Sequence, residues 1–206
     1  MYIIIMKLYI THYTPLVDRK QNIIKQLTSA GITDYEFIET YDREQLTRQD
    51  IEKFSHISMS EASLFLKHYE IFKKNSENDD IIIVLEDDAI LVENFKEHLA
   101  NYIEILREKT WDVAFTGECC NIHAKNIVQG QYFYDWSGSR GTCMYIINSG
   151  VCKKLYNIFN QEHQISLAID HWFNLIGKKY GLKYFLSEPT LVYQGSELGL
   201  YKSAIR

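Results

Sequence analysis

Ile81-Ile82-Ile83-Val84-Leu85-Glu86-Asp87-Asp88 is an aliphatic run of five residues closed by three consecutive acids. An unbroken apolar run of this length suits a strand covered on both faces, as in a sheet flanked by helices. Such a strand delivers Glu86, Asp87 and Asp88 together at its carboxyl end. Carboxylate oxygens are hard ligands of the kind Mg²⁺ or Mn²⁺ takes, commonly in company with substrate phosphates. Acids in this position also suit the first turn of a following helix, where the macrodipole stabilises negative charge. The segments on either side have to decide between the two readings.

Upstream, Tyr2 to Ile10 reads as a first strand, and Asp18 to Ala30 carries Ile23, Ile24 and Leu27 at helical spacing before stopping at Gly31. Tyr35 to Glu39 alternates as a short strand, and Thr40 to Phe54 reads as loop with a helical piece. Ser58 to Lys74 is the clearest helix: Ser58 and Glu61 form a capping box, and Leu64, Phe65, His68, Ile71 and Phe72 share one side. Downstream, Glu93 to Lys109 is a helix with Phe95, Leu99, Tyr102, Ile103 and Leu106 inward, and Trp111 to Phe115 is a strand. Gly117 to Arg140 reads as irregular, of the length at which loops are functional or mobile. Cys143 to Ile147 is a strand, Ser149 caps a helix to about Asn160, Ile165 to Ile176 is a helix ending near Gly177, and Tyr184 to Leu186 closes the sheet. Alternating strands and helices predict a mainly parallel sheet with ligands beyond the carboxyl ends of its strands, where Glu86 to Asp88 stand.

No repeat or flexible linker divides the chain, so residues 1–206 are expected to form a single α/β domain, and 46% hydrophobic content is enough for a full core. A net charge of −5 gives no basic footprint for nucleic acid and no polybasic membrane patch. The apolar start is too short to span a bilayer and has no charged leader, so a soluble cytoplasmic protein is expected. Cys119, Cys120, Cys143 and Cys152 lack CxxC spacing and read as free thiols of a reducing compartment. The adjacency of Cys119 and Cys120 argues against a metal knuckle.

Among candidate site residues, Asp170 opens Asp170-His171-Trp172-Phe173, an acid and an imidazole beside aromatic surface. A solvent-facing helical Asp170 and a packed His171 are the structural alternative. Glu61 and His68 lie seven residues apart on one helical face, as a shared pocket lining requires, although the capping box alone accounts for Glu61. Arg140, beside Gly141 and Thr142 after the long loop, is placed to reach a phosphate or to sit at the surface. Tyr132, Phe133, Tyr134 and Trp136 suit either carbohydrate stacking or a satellite hydrophobic cluster.

Several segments in order resemble glycosyltransferase family 25, the lipooligosaccharide and procollagen galactosyltransferase-like group. They are Met59 to Tyr69, the Leu85-Glu86-Asp87-Asp88 strand end, Gly141 to Ile147 with Gly150 and Lys154-Leu155, Ile169-Asp170-His171, and Pro189-Thr190-Leu191-Val192-Tyr193-Gln194. The chain departs from the family pattern after strand one, where Ile10-Thr11-His12-Tyr13 replaces Asn-Leu-Asp-Arg, while Asp18-Arg19 suits the later Asp-Arg pair. Ser60 stands where a Gly is common.

The resemblance implies a GT-A type nucleotide-diphosphosugar fold. It also implies transfer of a hexose, galactose or glucose, from a UDP-sugar to a glycan or hydroxylated peptide acceptor, with inversion. Mn²⁺ (or Mg²⁺) would be held by Asp88 with Glu86 or Asp87. Asp170 would be the base, with His171 and Glu61 as further catalytic residues and His68, Thr142, Arg140 and Gln194 as substrate-binding residues. Two rivals use the same residues: a relative that binds sugar nucleotide without turnover, and a metal-dependent phosphohydrolase, for which no second acid-rich motif is visible.

Overall fold

The computed structural model describes residues 6–148 and 150–204. Along them run β1 (Met6–Thr11), α1 (Val17–Ser29), β2 (Glu36–Ile38), α2 (Arg48–Ile51), α3 (Met59–Lys74), β3 (Ile81–Glu86), β4 (Ala89–Leu91), α4 (Phe95–Arg107), β5 (Val113–Phe115), β6 (Gly117–Glu118), β7 (Phe133–Trp136), β8 (Met144–Ile147), α5 (Val151–Gln161), α6 (Ile169–Tyr180), β9 (Tyr184–Ser187) and β10 (Val192–Gln194). The expected strand residues 2 to 5 and the expected cap Ser149 lie outside the described residues.

β3 is covered on both faces, as its unbroken apolar run requires. Ile82 and Val84 join a cluster with Phe65 and Phe72 of α3, Leu155 of α5 and Trp172 and Phe173 of α6. Ile81, Ile83 and Leu85 face the other way, onto Ile23 and Leu27 of α1 and Leu99 and Leu106 of α4. The main sheet has the order β2-β1-β3-β8-β5-β9-β7 among the described residues. β1 pairs in parallel with β2 and with β3, in a register that sets Thr11 against Glu86. The carboxyl ends of β1 and β3 therefore open on the same side of the molecule.

The sheet is mixed rather than uniformly parallel. β8 enters antiparallel between β3 and β5, and β7 runs antiparallel to β9 at the edge. No helix separates β5 from β8, so the chain is free to return in the opposite sense. β6 and β7 both fall in the stretch expected to be irregular. β7 alternates, with Phe133 buried in one core cluster and Tyr134 and Trp136 packed against the other, in a pattern too short to stand out beside its polar neighbours. A small second sheet, β4-β10-β6, carries the C-terminal strand beneath the acids. Glu86 ends β3, and Asp87 and Asp88 form the turn to β4 and not a helix start, since α4 begins only at Phe95.

α6 ends at Gly181, whose φ of 62° is the left-handed cap conformation, and not at Gly177. Gly177 is a packing glycine: a Cβ there would stand 2.5 Å from the Tyr184 ring. Gly→Ala in a helix ordinarily gains about 0.5–1 kcal/mol. Here overpacking should prevail, and Gly177→Ala is expected to lose about 1–3 kcal/mol, read as a lower melting temperature. A variant that melts with or above the wild type would mean that the ring yields freely. No helix of the described residues is long and apolar enough to cross a membrane.

Candidate active site

The three acids at the end of β3 have three different environments. Asp87 is buried and fully engaged: it accepts from Arg19 Nη1 at 2.9 Å, from the Tyr13 backbone N–H at 3.3 Å, and lies 2.7 Å from His12 Nδ1. Arg19 also donates to the Lys202 carbonyl at 2.5 Å and packs against the Tyr201 ring, so it fixes Asp87 and the C-terminal segment at once. Asp87, expected among the metal ligands, is thus committed to a buried ion pair.

Removing one partner of such a pair leaves an uncompensated charge, which typically costs about 3–5 kcal/mol. Arg19→Met is expected to destabilise the fold by that order in a denaturant melt. Asp87→Asn added to it should recover part of the loss, whereas strictly additive losses would contradict the pairing.

Asp88 is 3% exposed, and its Oδ1 has no hydrogen-bond partner. Its Oδ2 lies 3.8 Å from Arg19. Burial raises the Asp88 pKa, and the Ser196 hydrogen bond and Arg19 only partly oppose that rise. Glu86 accepts a hydrogen bond from Thr142 Oγ1 at 2.5 Å. Burial first, and then the charge of Asp88, push Glu86 up to about 8. Two carboxyl groups held toward their protonated forms, one with a bare buried oxygen, are what a divalent cation relieves.

The donor set is hard oxygen and fits Mg²⁺ or Mn²⁺. The three acids do not gather three ligand atoms within 4.8 Å of one another. Glu86 and Asp88 therefore suit an ion that takes one or two protein carboxylates and completes its shell from phosphate and water, as Mg²⁺ commonly does.

A cleft with two lobes meets at Glu86, Leu64, Gln194 and Ser196. One lobe mixes charges, with Arg19, Arg43 and Lys67 beside Glu86, Asp87 and Asp88. Lys67 is buried and donates to the Thr40 carbonyl at 2.6 Å and to Asp42 at 2.8 Å, and burial lowers its pKa. The wider lobe, about 510 Å³, is lined by Glu61, Thr142, Asp170 and His171 together with Cys119, Cys120 and Glu197. Asp170 sits in the first turn of α6, accepts the His171 backbone N–H at 2.8 Å, and adds to the field that raises Glu86.

Glu86, Asp88, Glu61, Thr142, Gln194, Asp170 and His171 are thus brought to one cleft. The Glu61 carboxylate holds the Ser58 backbone N–H at 2.7 Å, the capping-box role that its spacing allowed. Two expected substrate contacts do not line the cleft. His68 is 0% exposed, with Nδ1 2.6 Å from the Tyr145 hydroxyl and Nε2 4.0 Å from Glu86. Burial pushes its pKa down to about 3, so it is a neutral support behind Glu86 that no substrate reaches. Arg140 is 1% exposed and donates to the Ser187 carbonyl at 3.0 Å and to Glu188 at 3.1 Å. It neutralises the buried Glu188 and does not line the cleft.

Arg19, Lys67 and Glu197 were not among the expected site residues. The Asp18-Arg19 pair was a usable signal. Lys67 and Glu197 depend on contacts with Asp42 and Cys120 that local spacing does not encode.

Comparison with known proteins bears on what this cleft serves. No curated protein matches the sequence significantly. Among solved structures, a glycosyltransferase involved in the glycosylation of the major capsid of PBCV-1 is similar in fold. Its TM-score is 0.53 at 9% sequence identity, over 92% of this chain and 93% of that one. Mouse xyloside xylosyltransferase 1 in its apo form gives a TM-score of 0.46 at 12% identity, over 86% of this chain and 70% of that one. A putative glucose-1-phosphate thymidylyltransferase from Bacillus anthracis in complex with sucrose gives 0.45 at 13% identity, over 88% and 87%. The sequence model for glycosyltransferase family 25 (LPS biosynthesis protein) matches residues 6–173. That match covers most of the chain, and the protein belongs to glycosyltransferase family 25.

Proposed function

We propose that the protein transfers a hexose, galactose or glucose, from a UDP-sugar to a hydroxyl of a glycan or hydroxylated acceptor, with inversion, and that it does so with Mn²⁺ or Mg²⁺ bound at Asp88 and Glu86. Family membership supports sugar transfer. The observation that supports a cation there is the unpartnered, buried Asp88 Oδ1 beside a Glu86 pushed up to about 8, at the junction of the two lobes. When bound there, a divalent cation offsets the charge that grows on a departing diphosphate.

The narrower lobe, which borders Asp88 and opens at Arg43, suits the diphosphate end of the donor; Arg19 and Lys67 line it already paired with Asp87 and Asp42. Thr142, through its hydrogen bond, fixes the rotamer of Glu86. The wider lobe suits the acceptor, and Asp170 takes the proton of the incoming hydroxyl there as general base. A base in one lobe and a leaving group in the other is the arrangement that a single in-line displacement needs. Gln194, which borders both lobes, suits a contact to the sugar between them.

The test is incubation with a panel of UDP-sugars and Mn²⁺, measuring free UDP with and without EDTA. Metal-dependent UDP release from one donor, through slow hydrolysis when no acceptor is present, is the expected outcome. Binding of UDP-sugars with no release under any condition would favour the inactive relative, and turnover of simple phosphate esters alone would favour the phosphohydrolase.

A further inference from the structure

A second cluster of ligand-type atoms lies in the same cleft, away from the acids. Cys119 Sγ and Cys120 Sγ are 3.1 Å apart, and Glu197 Oε1 is 3.6 Å from the first and 3.4 Å from the second. The three atoms come from segments 77 residues apart in sequence. Among the described residues this is the group of three His, Cys, Asp or Glu side chains whose ligand atoms converge within 4.8 Å. Both cysteines are free thiols.

We propose that Cys119, Cys120 and Glu197 form a second cation site, one that takes a soft divalent ion such as Zn²⁺, and that the bound ion fastens the loop after β6 to the C-terminal segment at the rim of the cleft. Two thiolates and one carboxylate are a ligand set that prefers Zn²⁺ to Mg²⁺ or Mn²⁺. With Zn–S distances of about 2.3 Å and Zn–O of about 2.0–2.2 Å, an ion seats roughly 1 Å above the triangle these atoms already form. Three protein ligands leave a fourth position open.

The carboxylate is held in place for this. The Cys120 backbone N–H donates to Glu197 Oε2 at 2.6 Å, which aims Oε1 at the two thiols. Cys120 and Asn121 both adopt left-handed backbone conformations, with φ of 59° and 50°. On the other side Cys119 is packed against Gly141, where even a Cβ would come within 2.9 Å of its sulfur. Without a cation, burial, Cys120 and the charge of Glu197 all hold the Cys119 thiol protonated, so binding releases protons.

The fastening has a consequence for the acids. Glu197 follows Gly195, whose backbone N–H donates to the Asp88 carbonyl at 2.8 Å, and Ser196, which hydrogen-bonds the Asp88 carboxylate. An ion on Glu197 therefore steadies the segment that holds Asp88 in place.

The test uses the reduced full-length chain titrated with Zn²⁺ and with Cd²⁺ in excess Mg²⁺. Binding is followed by calorimetry and by the ultraviolet thiolate-to-cadmium charge-transfer band. One ion per chain is expected, with the band lost in the Cys119→Ser, Cys120→Ser double variant. Glu197→Gln, at an exposed position, should weaken Zn²⁺ binding by at least about tenfold. Limited proteolysis of the C-terminal segment should slow when Zn²⁺ is added to wild type. Absence of the band in the reduced protein, Zn²⁺ affinity unchanged by Glu197→Gln, or cleavage indifferent to Zn²⁺ would each overturn the proposal; the second would mean an adventitious dithiol contact only.

Discussion

Asp88→Asn lowers kcat/KM for sugar transfer by on the order of 10²–10³-fold, the loss seen when a group that stabilises transition-state charge is removed. The substitution keeps shape and leaves the backbone carbonyl to accept from Gly195, but it removes the charge that a cation at the lobe junction needs. Stability should move the other way. Burial holds the Asp88 carboxyl toward its protonated form, so a neutral amide relieves desolvation, and the melting temperature of the metal-free protein should stay level or rise. Lost activity in a protein at least as stable as wild type separates a functional role from a structural one, since a strained charge kept for function is a common source of that trade-off. Full transfer by Asp88→Asn would remove this residue from the mechanism.

Asp170→Asn should leave Mn²⁺-dependent UDP binding near the wild-type value while lowering kcat by about 10²–10⁴-fold, the range that a positioned general base contributes. The reason for the split is spatial: Asp170 lines the wider lobe, and the lobe proposed to receive the diphosphate is the other. Asp170 also lies in the first turn of α6, where its charge favours the helix by about 0.3–1 kcal/mol, so only a small drop in stability accompanies the substitution. Single-turnover kinetics beside UDP titration measure the two effects separately. Weakened UDP binding with kcat intact would place Asp170 on the donor and not on the acceptor hydroxyl.

What the sequence disclosed depended on whether the signal was local. The aliphatic run of β3, the capping box of α3 and the apolar stripe of α4 are patterns within one segment, and each appears where its periodicity put it. The antiparallel insertion of β8 is a statement about which strands it joins, and four apolar residues carry no direction. Edge strand β7 was hidden because its alternation spans four residues inside a polar stretch.

The same division runs through the cleft. Glu86, Asp88 and Asp170 were found from residue type together with family resemblance, and all three face the cleft. His68 and Arg140 carry side chains that suit a ligand, yet each is consumed by a buried partner, Tyr145 in one case and Glu188 in the other. Asp87 was read with its two neighbours because the three are consecutive. Arg19, reaching across from α1, is what sets it apart. For Cys119 and Cys120, adjacency argued against a metal, and the residue that changes the reading is supplied by a turn 77 positions later.

Calorimetric titration of UDP into the protein, with Mn²⁺, with EDTA, and with Mn²⁺ in the Asp88→Asn variant, examines whether the carboxylates at the end of β3 hold a cation for a diphosphate. UDP should bind with Mn²⁺ present and lose at least about tenfold in affinity both in EDTA and in the variant. Equal affinity in all three titrations would contradict it.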